Sequence, residues 1–71
     1  MTVFEAHAKL TKLIEEGHSE ANLFTDYVEE GGEAGGFYLS NTSERFWDCG
    51  ELSWFAEKNP NTPIVLINSH H

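Results

Sequence analysis

The first eighteen residues specify a helix by both of its ends and by one face. Thr2-Val3-Phe4-Glu5 has the spacing of a capping box, in which the Thr2 hydroxyl accepts from the Glu5 amide and the Glu5 carboxylate reaches back to the Thr2 amide. Val3, Ala6, Leu10, Leu13 and Ile14 recur at three- and four-residue steps and fall within an arc of roughly 100°. Glu5, Ala8, Lys12, Glu15 and Glu16 take the opposite side. Glu5–Lys9 and Lys12–Glu16 are i,i+4 pairs, the first in the better orientation. Gly17 is free to adopt the left-handed conformation that ends a helix. The pattern predicts a helix over residues 3–16 with its apolar face committed to a core.

The remaining chain alternates between strand and helix signals. Over residues 21–28, Ala21, Leu23, Thr25 and Tyr27 alternate with Asn22, Phe24, Asp26 and Val28, and the β-formers among them favour a strand. A helix capped by Ser19, with Leu23, Phe24, Tyr27 and Val28 on one face and Gly31 as its stop, is the alternative. Gly31-Gly32-Glu33-Ala34-Gly35-Gly36 reads as a loop. Phe37–Ser40 reads as a short strand that closes a hairpin with the preceding one, followed by a turn at Asn41-Thr42-Ser43. Asp48-Cys49-Gly50-Glu51 resembles a second capping box. Leu52, Phe55 and Ala56 follow at helical spacing up to the stop at Asn59-Pro60, giving a helix over 49–58. A strand alternating Leu52, Trp54 and Ala56 is the runner-up there. Pro63 then opens Ile64-Val65-Leu66-Ile67, an apolar run of the kind found in buried central strands. The expected architecture is a single small α+β domain over residues 1–71, in the order α-β-β-α-β, with a three-stranded, mainly antiparallel sheet and both helices on one face. Residues 69–71 read as a polar tail, and His70-His71 match the start of a purification tag.

At 71 residues the core must be thin, with about 60–65% of the unfolded surface buried. The lone Cys49 cannot form an intramolecular disulfide, and His7, His18, His70 and His71 form no zinc-ligand spacing with it. Oligomerisation or a partner is the expected extra support, with an efficient small core as the alternative. No segment approaches the roughly 20 apolar residues that span a bilayer. The absence of a signal-peptide pattern and the single cysteine lead to an expectation of the cytoplasm. The net charge is −8, and its distribution matters more than its size. Eight acids and no Lys or Arg lie from Leu13 through Glu44, leaving only Lys9, Lys12, Arg45 and Lys58 as cations. Direct nucleic-acid binding and anionic membrane surfaces are disfavoured.

Motifs that carry chemistry are sparse. The glycine run has no Lys and is flanked or interrupted by Glu29, Glu30 and Glu33, which would repel phosphate, and its acids lack the spacing of a calcium loop. Cys49 would be activated by a helix N-terminus but opposed by Asp48 and Glu51, and an inert thiol is the favoured reading. His7 lies at the edge of the helix's apolar arc and His18 just past its end. A small enzyme using Cys49 or His7 ranks third, since no nucleophile–base spacing, cofactor motif or metal motif is present. The aromatic residues point elsewhere. A thin core is not expected to hide all nine of them, and exposed Trp and Tyr are common interface anchors; the equal alternative is that they complete a small aromatic core. The candidate partner surface is Glu15, Glu16, Glu20, Asp26, Glu29, Glu30, Tyr38, Trp47 and Trp54.

Thr2-Val3, Lys9-Leu10, Leu13-Ile14-Glu15-Glu16-Gly17-His18 and the closing Pro63-Ile64-Val65-Leu66-Ile67 together resemble small uncharacterised bacteriophage and prophage proteins. The likeness covers the first quarter of the chain and its last tenth, and it carries over no catalytic residue. It implies a phage accessory protein in a bacterial host cytoplasm. The leading expectation is a non-enzymatic acidic protein-interaction domain without a cofactor, such as an inhibitor of a host protein or defence complex. Its sharper form is a nucleic-acid mimic that meets a basic or nucleic-acid-handling partner. A homodimer or other homo-oligomer of accessory role is the alternative.

Overall fold

The apolar run near the C-terminus organises the molecule. A computed structural model describes residues 1–26, 30–44 and 50–69. Its elements are α1 (Val3–Glu15), β1 (Asn22–Thr25), β2 (Ala34–Asn41), α2 (Gly50–Lys58) and β3 (Pro63–Ser69), an α+β domain in the order α-β-β-α-β. The strand order is β1-β3-β2, so β3 lies between the other two. Its side chains Ile64, Val65 and Leu66 are the buried hydrophobic core among the described residues. Burying each stabilises the fold by about 1.5–3 kcal/mol.

The pairing corrects the expected hairpin. β2 runs antiparallel to β3, with Tyr38 opposite Leu66 and Asn41 opposite Pro63. β1 runs parallel to β3, with Leu23 opposite Val65 and Thr25 opposite Ile67. β1 and β2 are therefore not neighbours, and the sheet is mixed. A parallel pair needs a long crossover, and here the whole β2–α2 segment supplies it. The strand over 21–28 is present but spans Asn22–Thr25; Tyr27, Val28 and Glu29 lie outside the described residues. β2 starts earlier than expected and absorbs Gly35 and Gly36 from the glycine run. Ala34 faces Ser69 and Gly36 faces Asn68, leaving Gly35 as the extra residue of a bulge. β3 likewise extends through Ser69, which the sequence reading assigned to the tail.

Residues in register share a face and successive residues alternate. Phe24, Ile64, Leu66, Tyr38 and Ser40 thus share one face, and Leu23, Val65, Ile67, Phe37 and Leu39 the other. Phe55 of α2 meets Phe24 with ring centroids 5.1 Å apart and planes tilted by 56°, within the range of a favourable aromatic pair. Leu13 of α1 borders the space over Leu23, Val65, Phe37 and Leu39. The helices therefore flank opposite faces, not one. The reason lies in β3, which is apolar on both sides and needs cover on both.

Local signals are realised at the helix ends. Thr2 Oγ1 accepts from the Glu5 amide at 3.0 Å and Glu5 Oε1 accepts from the Thr2 amide at 3.1 Å, completing the capping box. At the other end the Gly17 amide donates to Ile14 O at 3.1 Å and the His18 amide to Leu13 O at 3.0 Å. This is a Schellman closure, with Gly17 at φ 94° in the left-handed region. The α2 capping residues Asp48 and Cys49 lie outside the described residues. The other end of α2 is closed by Asn59, whose amide and Nδ2 both donate to Phe55 O, at 2.8 and 3.0 Å.

Thr42 locks the α2–β3 turn to the end of β2. The Thr42 side chain is buried, its hydroxyl donates to Asn59 O at 2.7 Å and it accepts from the Thr62 amide at 2.9 Å. The Thr42 amide also donates to Thr62 O at 2.9 Å. Asn41 Oδ1 accepts from the Ser43 amide and hydroxyl, both at 2.9 Å, forming the expected turn.

Thr42→Val keeps the shape but strands two partners, and each unpaired group costs about 1–3 kcal/mol. The expected melting temperature falls by about 4–8 °C or more, while Thr42→Ser retains most of the stability. Hydrogen bonds from Thr2, its backbone amide foremost and then its side chain, hold the Glu5 carboxyl below its ordinary value. A lowered folded-state value stabilises above the ordinary carboxylate range and is lost as pH falls through the folded one. The helical circular dichroism signal of the wild type should therefore drop on acidification by a component that Glu5→Gln lacks.

Candidate functional site

α1 is held at its ends and open along its length. The Met1 ammonium donates to Ala34 O at 2.8 Å and pairs with Glu33 Oε1 at 2.9 Å, tying the helix start to the start of β2. The Gly17–His18 closure leads into β1, with the Ala21 amide donating to His18 O at 3.1 Å. Between these anchors no residue of α1 is buried. This corrects the expectation that its apolar face is committed to the core. Leu13 and Ala6 are half-buried, whereas Val3 is 88% exposed, Phe4 81% and Ile14 59%.

The helix rests on the sheet through Leu13, which borders a cleft on either side. One cleft, about 410 Å³, separates Lys9, Lys12 and Glu16 from Phe37 and Leu39 of β2. The other, about 250 Å³, runs between Leu10 and Ile14 of α1 and Leu23 and Val65 of the sheet, with His18 at its end. On a 100° wheel Leu13 and Ala6 point toward the sheet. Val3, His7, Leu10 and Ile14 form a ridge beside them at steps of four, three and four residues, the a/d spacing of a helix–helix seam. All four are exposed, and Phe4 and Thr11 flank them, also exposed. Leu23 of the edge strand β1 is exposed across the second cleft.

The acidic candidates do not converge. Glu15, Glu16 and Glu20 are exposed around the α1–β1 turn, at the end of the sheet where Asn22 faces Ile64. Asp26 and Glu30 lie beyond the opposite end of β1, past Thr25 and Ile67. Asp26 is half-buried, and its amide donates to Ile67 O at 2.7 Å. A four-residue strand, roughly 13 Å, separates the two groups. Asp26 does share a shallow cleft of about 240 Å³ with Tyr38 and Glu44 on the α2 side. Tyr38 is 49% exposed and donates to Asn68 Oδ1 at 3.2 Å. Trp54 is 73% exposed on α2, turned from Phe55, which faces the sheet. Glu29 and Trp47 lie outside the described residues, as does Cys49.

The surface that sequence reasoning missed is the apolar one. Val3, Leu10 and Ile14 were legible as a stripe, and the unread signal was the 3-7-10-14 step, but nothing local shows which side of a helix a sheet covers. Among the described residues no group of three or more His, Cys, Asp or Glu side chains is placed to hold a metal ion. No helix among them is long and apolar enough to cross a membrane. No family model, no curated protein and no solved structure matches the chain.

Proposed function

We propose that this chain is a non-enzymatic protein-interaction domain whose contact surface is the open apolar side of α1. One observation carries the reading: a helix capped at both ends leaves Val3, Phe4 and Ile14 largely in water. A well-formed amphipathic helix ordinarily covers such a stripe, and contiguous exposed apolar surface marks association sites. Trp54 and Tyr38, exposed on the α2 side, offer separate aromatic anchors.

The acidic residues act as steering charge in this reading. A form in which carboxylates imitate a phosphate row, as a phage-encoded inhibitor of a nucleic-acid-handling protein would need, finds less support. Glu15, Glu16 and Glu20 are separated from Asp26 and Glu30 by the length of β1. A homo-oligomeric accessory role is favoured by a different observation, the surplus surface described below.

Affinity capture from bacterial lysate, run in parallel with the immobilised wild type and Ile14→Glu, tests the reading. The expected result is a set of proteins held by the wild type and lost from the variant. Identical sets on both, from a chain that is also strictly monomeric, would sink it. Release of a basic partner by moderate salt from both chains would transfer the function to the acidic residues.

A further inference from the structure

The monomer exposes more surface than its mass warrants. Its accessible area is 5393 Å², against about 4,450 Å² for a compact monomer of this size. Its radius of gyration is 12.6 Å, where about 11 Å is expected. Summed over the whole chain, the surplus of roughly 900 Å² is of the order of the ~800 Å² that each partner buries in a standard stable interface.

Charge decides which surface a second copy can use. A chain at −8 repels itself, so self-association must avoid its carboxylates. The α1 ridge meets that requirement: Val3, Phe4, His7, Leu10, Thr11 and Ile14 include no carboxylate. Lys9 and Lys12, half of the chain's Lys and Arg residues, stand on the same helix and offset its Glu5 and Glu15. A basic partner would gain nothing electrostatic from this ridge, whereas a second copy meets no carboxylate among its six residues.

We propose that the protein forms a two-fold homodimer in which the α1 ridges of two copies pack antiparallel. The proposal rests on the interaction reading above and names its partner. A two-fold axis near the middle of the ridge sets Val3 against Ile14 of the other copy and His7 against Leu10. Phe4 and Thr11 flank the seam. Leu23 of each copy borders the seam through the cleft it shares with Ile14.

Sedimentation velocity on the full chain from low to high micromolar concentration tests this. The expected result is a monomer–dimer equilibrium ending near 16 kDa, twice the 8.0 kDa chain. Ile14→Glu and, independently, Val3→Glu should weaken it by about a hundredfold or more, with the far-ultraviolet circular dichroism of each monomer unchanged. Val3 is so exposed that a change there leaves folding intact. Raising salt from about 20 mM to about 300 mM should tighten the dimer by screening like charge, the reverse of acid-steered binding. A strict monomer at high micromolar concentration, a dimer indifferent to both substitutions, or a dimer that loosens with salt would overturn the proposal. A strict monomer whose lysate capture still depends on Ile14 would overturn the dimer alone and leave the interaction reading standing.

Discussion

Everything in this fold is arranged around a central strand that is apolar on both sides. Ile64 and Leu66 face α2, Val65 and Ile67 face α1, and β1 and β2 pair with the two edges of β3. A strand of this kind must be sandwiched, which draws the two helices to opposite faces. Two short helices and two edge strands are all the described residues offer for that task. The α2 face is closed by the Phe24–Phe55 contact and the Thr42 lock. The α1 face is closed mainly by one side chain, Leu13, between two clefts.

That imbalance links folding to the proposed function. α1 is well made as a helix because its caps satisfy its end groups locally, independent of packing. Its apolar arc is wider than the strip the sheet covers, so Val3, Leu10 and Ile14 stay outside. In a larger domain a further element would cover them. Here the same residues that make the helix amphipathic are left exposed, which is what the proposed interaction role rests on. Glu15, Glu16 and Glu20 sit at one end of β1 and Asp26 at the other, and the net charge of −8 makes the chain self-repelling. The ridge of α1 includes no carboxylate.

Local determinants were legible in the sequence. Thr2, Glu5 and Gly17 bounded α1, Asn59 marked the end of α2, and Ile64–Ile67 stood out as the central strand, because caps, stops and apolar runs act within a few residues. Non-local determinants were not. Gly35 and Gly36 read as loop from their intrinsic cost, yet pairing with β3 and a bulge draw them into a strand. A hairpin between β1 and β2 was the natural expectation from proximity in sequence, and insertion of β3 between them depends on contacts 42 residues apart in register, such as Leu23 with Val65. The candidate site divided the same way. Exposure of Tyr38 and Trp54 followed from the thin core, whereas the acids read as one surface because they are consecutive in sequence, and the intervening strand separates them in space. The stripe on α1 was visible, but a periodic pattern names a face without naming its partner.

The central claim is that β3 carries the core while the apolar side of α1 lies open in the monomer. Native-state hydrogen exchange measured residue by residue at low and high protein concentration addresses it most directly. The account predicts that the Val65, Leu66 and Ile67 amides exchange only through global unfolding at any concentration. The Leu10, Leu13 and Ile14 amides should exchange through easier local opening in dilute solution and gain protection as concentration rises. Equal protection of α1 and β3 in dilute solution, unchanged by concentration, would contradict it, because the helix would then be fully packed within a single copy.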